Sequence, residues 1–231
     1  MKLSALRVMV FAFPFVVLAV FVPYKIFFKR DWFRLVAEDG VFEQLQVWFF
    51  LVASILFLVA SIRSLNSGKR FSFLVFLSLS FGLALVCLEE ISWGQRILGF
   101  SSPQHFTCHN VQGELTLHNL SVIQPFLHLG YILIGLIGSI GCICARVLPG
   151  KKWCSFLPGW YLSSYFFPVF IVYLWFEFSY HYWRVLNGPL SIDGGGFLLW
   201  RDQELVEAIL AFGFFLFAAV SAKNSVSVKT E

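Results

Sequence analysis

The chain has 231 residues, 58% of them hydrophobic and only 13% charged, with a mean hydropathy of +0.78. A soluble domain is about 45–50% apolar, so this composition excludes a water-surrounded globule and calls for lipid as the solvent. The formal charge of +4 is split between two opposed surfaces and gives no basis for nucleic-acid binding.

A helix needs about 20 mainly apolar residues to cross the hydrocarbon core. Six stretches meet this, near 8–28, 44–62, 71–88, 122–145, 154–176 and 203–221. The first follows Lys2 and Arg7, and its apolar run reaches Phe28 with no small-residue cleavage pattern, so it reads as a retained helix. The second is preceded by Glu38, Asp39 and Gly40 and opens with Glu43, the third closes on Glu89 and Glu90, and the sixth opens around Asp202, Glu204 and Glu207. The fourth carries Gly135, Gly138, Ser139, Gly141, Cys142 and Ala145, a small-residue pattern that lets a neighbouring backbone approach. The expected fold is an all-α polytopic membrane bundle of about six spans, one domain over 1–231, with both termini in the cytosol. Its expected location is the cell membrane.

The orientation rests on Lys2, Arg7, Arg63, Lys69, Arg70, Arg146, Lys151, Lys152, Lys223 and Lys229. These ten of the 17 cations fall on one side, which the positive-inside rule makes the inner one. All acids except Glu231, and all five histidines, fall on the other side or in the outer halves of the spans. Function is therefore expected at the outer face.

A helix dipole favours acids at its N-terminus and opposes them at its C-terminus. Glu38, Asp39, Glu43, Asp202, Glu204 and Glu207 stand at favourable helix starts. Glu89, Glu90 and Glu177 close spans that end outside, at the unfavourable pole, and an ionisable group at membrane depth is a functional-site hypothesis by default. If the third helix runs on, Glu89, Ser92, Trp93 and Arg96 share a stripe; if the fifth does, so do Glu177, Tyr180, His181 and Arg184. Cross-pairing of Arg184 with Glu89 or Glu90, and of Arg96 with Glu177, would join the third and fifth spans. The outer loop between the third and fourth spans adds Asn110, Gln112, Glu114, His118 and Asn119. His105 and His109 have an i, i+4 spacing around Cys108, too weak a pattern to count as a metal site. A bridge between Cys87 and Cys108 is geometrically open, and the segment Leu190–Trp200 is expected to form a mobile cover.

The run Glu89-Glu90-Ile91-Ser92-Trp93-Gly94-Gln95-Arg96, with Asn110, Gln112-Gly113-Glu114 and His118-Asn119 downstream, resembles a pattern in a family of bacterial multi-span membrane proteins. The resemblance covers about the middle third of the chain and implies one constellation of residues, with no activity attached. Three functions then compete. In the first, an enzyme acts as a hydrolase or group transferase on a lipid or lipid-linked substrate. Here Glu89, Glu90, Glu177, His118 and His181 carry protons, and Arg96, Arg184, Trp93, Gln95, Asn110, Gln112, Glu114, Asn119 and Glu43 bind substrate. In the second, the same groups only bind a lipid or a helix-packing partner protein. The third, transport, is disfavoured because the inner halves of the spans are apolar. No cofactor is implied.

Overall fold

The computed structural model describes residues 2–103, 115–117, 120, 123–147, 156–187 and 200–225. Within them the chain forms α1 (Lys2–Phe27), α2 (Lys29–Leu35), α3 (Val41–Asn66), α4 (Arg70–Glu90), α5 (Gln95–Leu98), α6 (Gln124–Val147), α7 (Ser163–Asn187) and α8 (Gln203–Asn224). Short 3-10 turns lie at Ser92–Gly94, Trp160–Leu162 and Trp200–Asp202. Among the described residues five stretches are long and apolar enough to cross a membrane: Ser4–Phe27, Val41–Asn66, Arg70–Glu90, Trp160–Phe178 and Gln203–Asn224. This is the build of a multi-pass membrane protein. The remaining expected span is α6, whose 24 residues reach about 36 Å, although its described apolar run, Phe126–Gly141, is shorter than the other five.

The fifth span departs from its expected bounds. Gly159 is extended (φ −65°, ψ 154°) and a 3-10 turn follows it, so regular helix starts only at Ser163. It then runs to Asn187, well past Glu177. Glu177 is therefore inside a helix and not at its C-terminal pole, and the dipole argument made for it falls. The third span does end at Glu90 as expected, leaving Glu89 and Glu90 in its last turn.

The helices pack as a row, α4 on α3, α3 on α8, α8 on α7 and α7 on α6, with α1 laid against α7. The expected direct junction of the third and fifth spans is not a packed interface, because α3 and α8 stand between α4 and α7. In α8, 67% of the apolar window is buried, against 6% in α1, which makes α8 the inner post and α1 the lipid-facing one. Phe57 on α3 stacks on Phe76 of α4 at 5.9 Å and meets Phe217 of α8 edge-on at 5.3 Å.

The α3–α4 pair carries a ladder of polar rungs. Cys87 Sγ donates to Val47 O at 3.6 Å, and Ser54 and Ser80 donate to each other's carbonyls at 2.8 Å each. Ser61 Oγ donates to Phe73 O at 3.0 Å. Each rung lies seven residues from the next along both antiparallel helices, the repeat that keeps one seam facing a partner. In lipid, where apolar burial drives nothing between helices, such close backbone contacts hold the pair. Cys87 is thus a free, buried thiol in a helix interface and not one end of a bridge.

The small-residue stripe of α6 meets α7 as expected. A Cβ at Gly135 would lie 2.7 Å from Phe170 N and 2.9 Å from its Cα, a backbone that cannot move aside, whereas Gly130 faces open space. Gly135→Ala should destabilise the protein by about 1–3 kcal/mol, and Gly130→Ala should not. Thermal unfolding of the two variants in detergent checks this; equal melting temperatures would show that the helices are not in close contact.

Candidate functional site

The first turn of α3 sets one wall. Asp39 takes a left-handed φ of 58° and Gly40 precedes the helix, so Glu43 can turn back and accept the Asp39 N–H at 2.7 Å. This is helix-start chemistry, as the sequence suggested. One turn on, Gln46 is fully buried, and its Nε2 donates to the Glu204 carboxylate at 2.8 Å and to Glu204 O at 3.2 Å. Its Oε1 is buried without a hydrogen-bond partner.

α8 supplies the centre. Glu207 is 5% exposed, and the Tyr173 hydroxyl of α7 donates to its Oε1. Glu204, Glu90 and Glu43 all act electrostatically on Glu207, so carboxyl groups from α3, α4 and α8 converge at one end of the bundle. Tyr173 in turn stacks on Tyr131 of α6 at 4.3 Å. The His128 ring meets Tyr173 edge-on at 5.3 Å, and its Nδ1 lies 2.5 Å from Glu177 Oε1. A proton must lie between that nitrogen and that oxygen. The half-exposed Glu177 and the buried Glu207 are thereby joined through His128 and Tyr173, with one ring contact in the middle.

α4 ends beside this cluster in a break. Ser92, Trp93 and Gly94 have φ of 48°, 54° and 77°, so the third helix does not run through the Ser92–Arg96 segment and the stripe expected on it is lost. Only Gly94 takes that conformation without strain. The break brings the indole of Trp93 back to its own helix end, where Nε1 donates to Glu89 Oε1 at 2.6 Å. Glu89 Oε2 accepts the Leu117 N–H at 2.7 Å, and Gln95 Oε1 accepts the Leu115 N–H at 2.8 Å and the Ser102 hydroxyl at 3.1 Å. Glu89 and Gln95 thus hold the amides of Leu117 and Leu115, and Trp93 braces Glu89.

Asp202 departs from the helix-start chemistry that its position predicts. It stands at the start of α8, but its side chain caps no amide. Its Oδ1 accepts Trp32 Nε1 at 2.8 Å and its Oδ2 pairs with Lys25 Nζ, which fastens α1 and α2 to α8. Glu204 and Glu207 are likewise more than helix-start acids, given their bonds to Gln46 and Tyr173.

Among the expected site residues, the structure brings Glu43 and Glu90 to the cluster, sets Glu89, Trp93 and Gln95 on the adjoining break, and pairs Glu177 with His128. Arg96 falls on α5, and His181 and Arg184 fall on α7 at the helical register of Glu177. Asn110, Gln112, Glu114, His118 and Asn119, the pair His105 and His109, Cys108, and residues 188–199 of the expected cover lie outside the described residues. Among those described, no three His, Cys, Asp or Glu side chains are placed to hold a metal ion.

Sequence reasoning missed Gln46, His128, Tyr131, Tyr173 and the central place of Glu207. A signal was present: Glu43 with Gln46, and Glu204 with Glu207, are i, i+3 polar pairs that enter otherwise apolar helices on one face. No family model matches the chain, and neither the curated proteins nor the solved structures contain a significant match. The chemistry of the site must therefore be read from its own residues.

Proposed function

We propose that the acidic end of the bundle is an acid–base site working on a lipid or lipid-linked substrate from the outer leaflet, as a hydrolase or group transferase. The observation that carries this reading is the buried Glu207, held by Tyr173 at the end of the bundle where Glu43, Glu90 and Glu204 also stand. Carboxyl groups are costly at membrane depth and are retained where they do chemistry. A buried carboxylate can take a proton from an attacking hydroxyl, and the Glu177–His128 pair gives a nearby group that exchanges protons with the surface. Arg96 and Arg184 are the residues proposed to hold an anionic head group.

A second reading, a binding or assembly protein, draws on a different observation. The Gln46–Glu204 and Lys25–Asp202 contacts tie helices together without any reaction.

The deciding experiment compares lipid extracts from cells lacking the protein, restored with wild type, or restored with Glu207→Gln. Under the enzyme reading one lipid accumulates in the first and third and is consumed in the second. Identical extracts from all three would leave the assembly reading in place. The proposed arrangement has six spans with both termini inside, so thiol labelling at Lys69, Lys151 and Lys223 should read inside and at Gly113 and Gly195 outside. Labelling of Lys151 from outside would invert the face on which the substrate is met.

A further inference from the structure

At the end of the bundle opposite the carboxyl cluster, the close of α3, the start of α4, the close of α8 and the turn before α7 enclose a cavity of about 370 Å³. That volume lies within the range of small-molecule sites. Its deeper wall is apolar, formed by Phe76, Phe156 and Phe217, and its mouth carries Lys69, Ser72 and Asn224. Among the described residues no Asp or Glu lies at this end, while Lys69 lines the cavity and Arg63, Arg70 and Lys223 lie on the same helix ends. Positive charge without local acid favours an anion.

The helix ends do not oppose one. α3 and α8 both close here, where free carbonyls would repel an anion, but two carbonyls at each of these ends are occupied. Arg63 Nη1 donates to Ala222 O at 2.8 Å, Ser67 Oγ to Arg63 O at 2.9 Å, the Lys69 N–H to Ser64 O at 2.9 Å and Ser225 Oγ to Ser221 O at 2.9 Å. α4 begins at the same mouth and presents its positive pole.

The hydroxyls of Ser64, Ser67 and Ser225 have each spent their hydrogen on a helix carbonyl, so toward the cavity their oxygens can only accept. A ligand must then offer negative charge to Lys69, hydroxyl donors to these serines, and an apolar portion to the phenylalanines. We propose that the cavity seats a phosphate ester with a hydroxyl-bearing head group, supplied by an anionic phospholipid such as phosphatidylglycerol. Its phosphate lies at Lys69 and Ser72, and the first carbons of its chains lie against Phe76 and Phe156. This site is separate from the carboxyl cluster and does not depend on the activity proposed there.

Native mass spectrometry of the full chain in detergent tests it, with phosphatidylglycerol, phosphatidylcholine of the same chains, and glycerol 3-phosphate added in separate titrations. Phosphatidylglycerol should bind saturably and roughly tenfold more tightly than phosphatidylcholine. Lys69→Gln, on an exposed side chain, should weaken it about fivefold without shifting the melting temperature measured in the absence of lipid. Ser72→Trp, which fills the mouth, should abolish the saturable component. Equal binding of the two lipids, or unchanged binding in both variants, would overturn the proposal. Glycerol 3-phosphate held as tightly as the lipid would overturn the assignment to a phospholipid.

Discussion

Lys25→Met should lower the stability of the protein by about 3–5 kcal/mol. Lys25 and Asp202 form an ion pair whose side chains are 16% and 5% exposed, and the pair is the clamp between α1 and the start of α8. Removing the cation leaves a buried carboxylate that has lost its counter-charge, although the Trp32 indole still donates to it. Asp202→Asn should cost less, because Lys25 keeps enough access to turn its ammonium toward water. The double variant, with neither charge, should recover about 1–3 kcal/mol of the Lys25→Met loss. Unfolding in graded denaturing detergent measures all three. If Lys25→Met and wild type unfold together, the contact does not hold the helices.

Glu207→Gln is expected to behave in the opposite way. A glutamine carbonyl still accepts the Tyr173 hydroxyl, so the fold should survive within about 1 kcal/mol, while proton transfer at the site should fall by about 10²–10⁴-fold. Tyr173→Phe removes the donor and should cost about 1–3 kcal/mol, because Glu207 is then buried with one hydrogen bond fewer. Turnover of the substrate found by the lipid comparison, measured beside melting temperature, separates the two effects. A Glu207→Gln protein that folds and turns over normally would remove Glu207 from the chemistry.

The helical build and the polarity of the two ends were legible because both are properties of runs of residues. Twenty apolar residues specify a span whatever they pack against, and the positions of acids along the chain specify which end they reach. The helix-start place of Glu43 was legible because such chemistry is local, and its partner, the Asp39 amide, is four residues away. Glu207, by contrast, owes its role to Tyr173 and to carboxyl groups on α3 and α4, none of which is near it in sequence. The same holds for His128, whose meaning comes from Glu177 on the next helix. The stripe through Ser92 and Trp93 failed for a local reason. A three-residue left-handed break was hidden behind a single glycine, Gly94, and propensity gave no warning that Ser92 and Trp93 would share its conformation.

The seven-residue ladder between α3 and α4 bears on how the chain enters the bilayer. The two helices are joined by three residues, Ser67, Gly68 and Lys69, with Gly68 turning at a φ of 73°. All of the ladder's bonds can therefore form as soon as the second helix has been synthesised. Sliding one helix by a single turn would set carbonyls opposite leucine and phenylalanine in place of hydroxyl and thiol, so only one alignment satisfies every rung. Contacts so close in sequence close early. The expected order is that the hairpin closes first and that α8 then docks its phenylalanines against it, bringing Glu204 to Gln46.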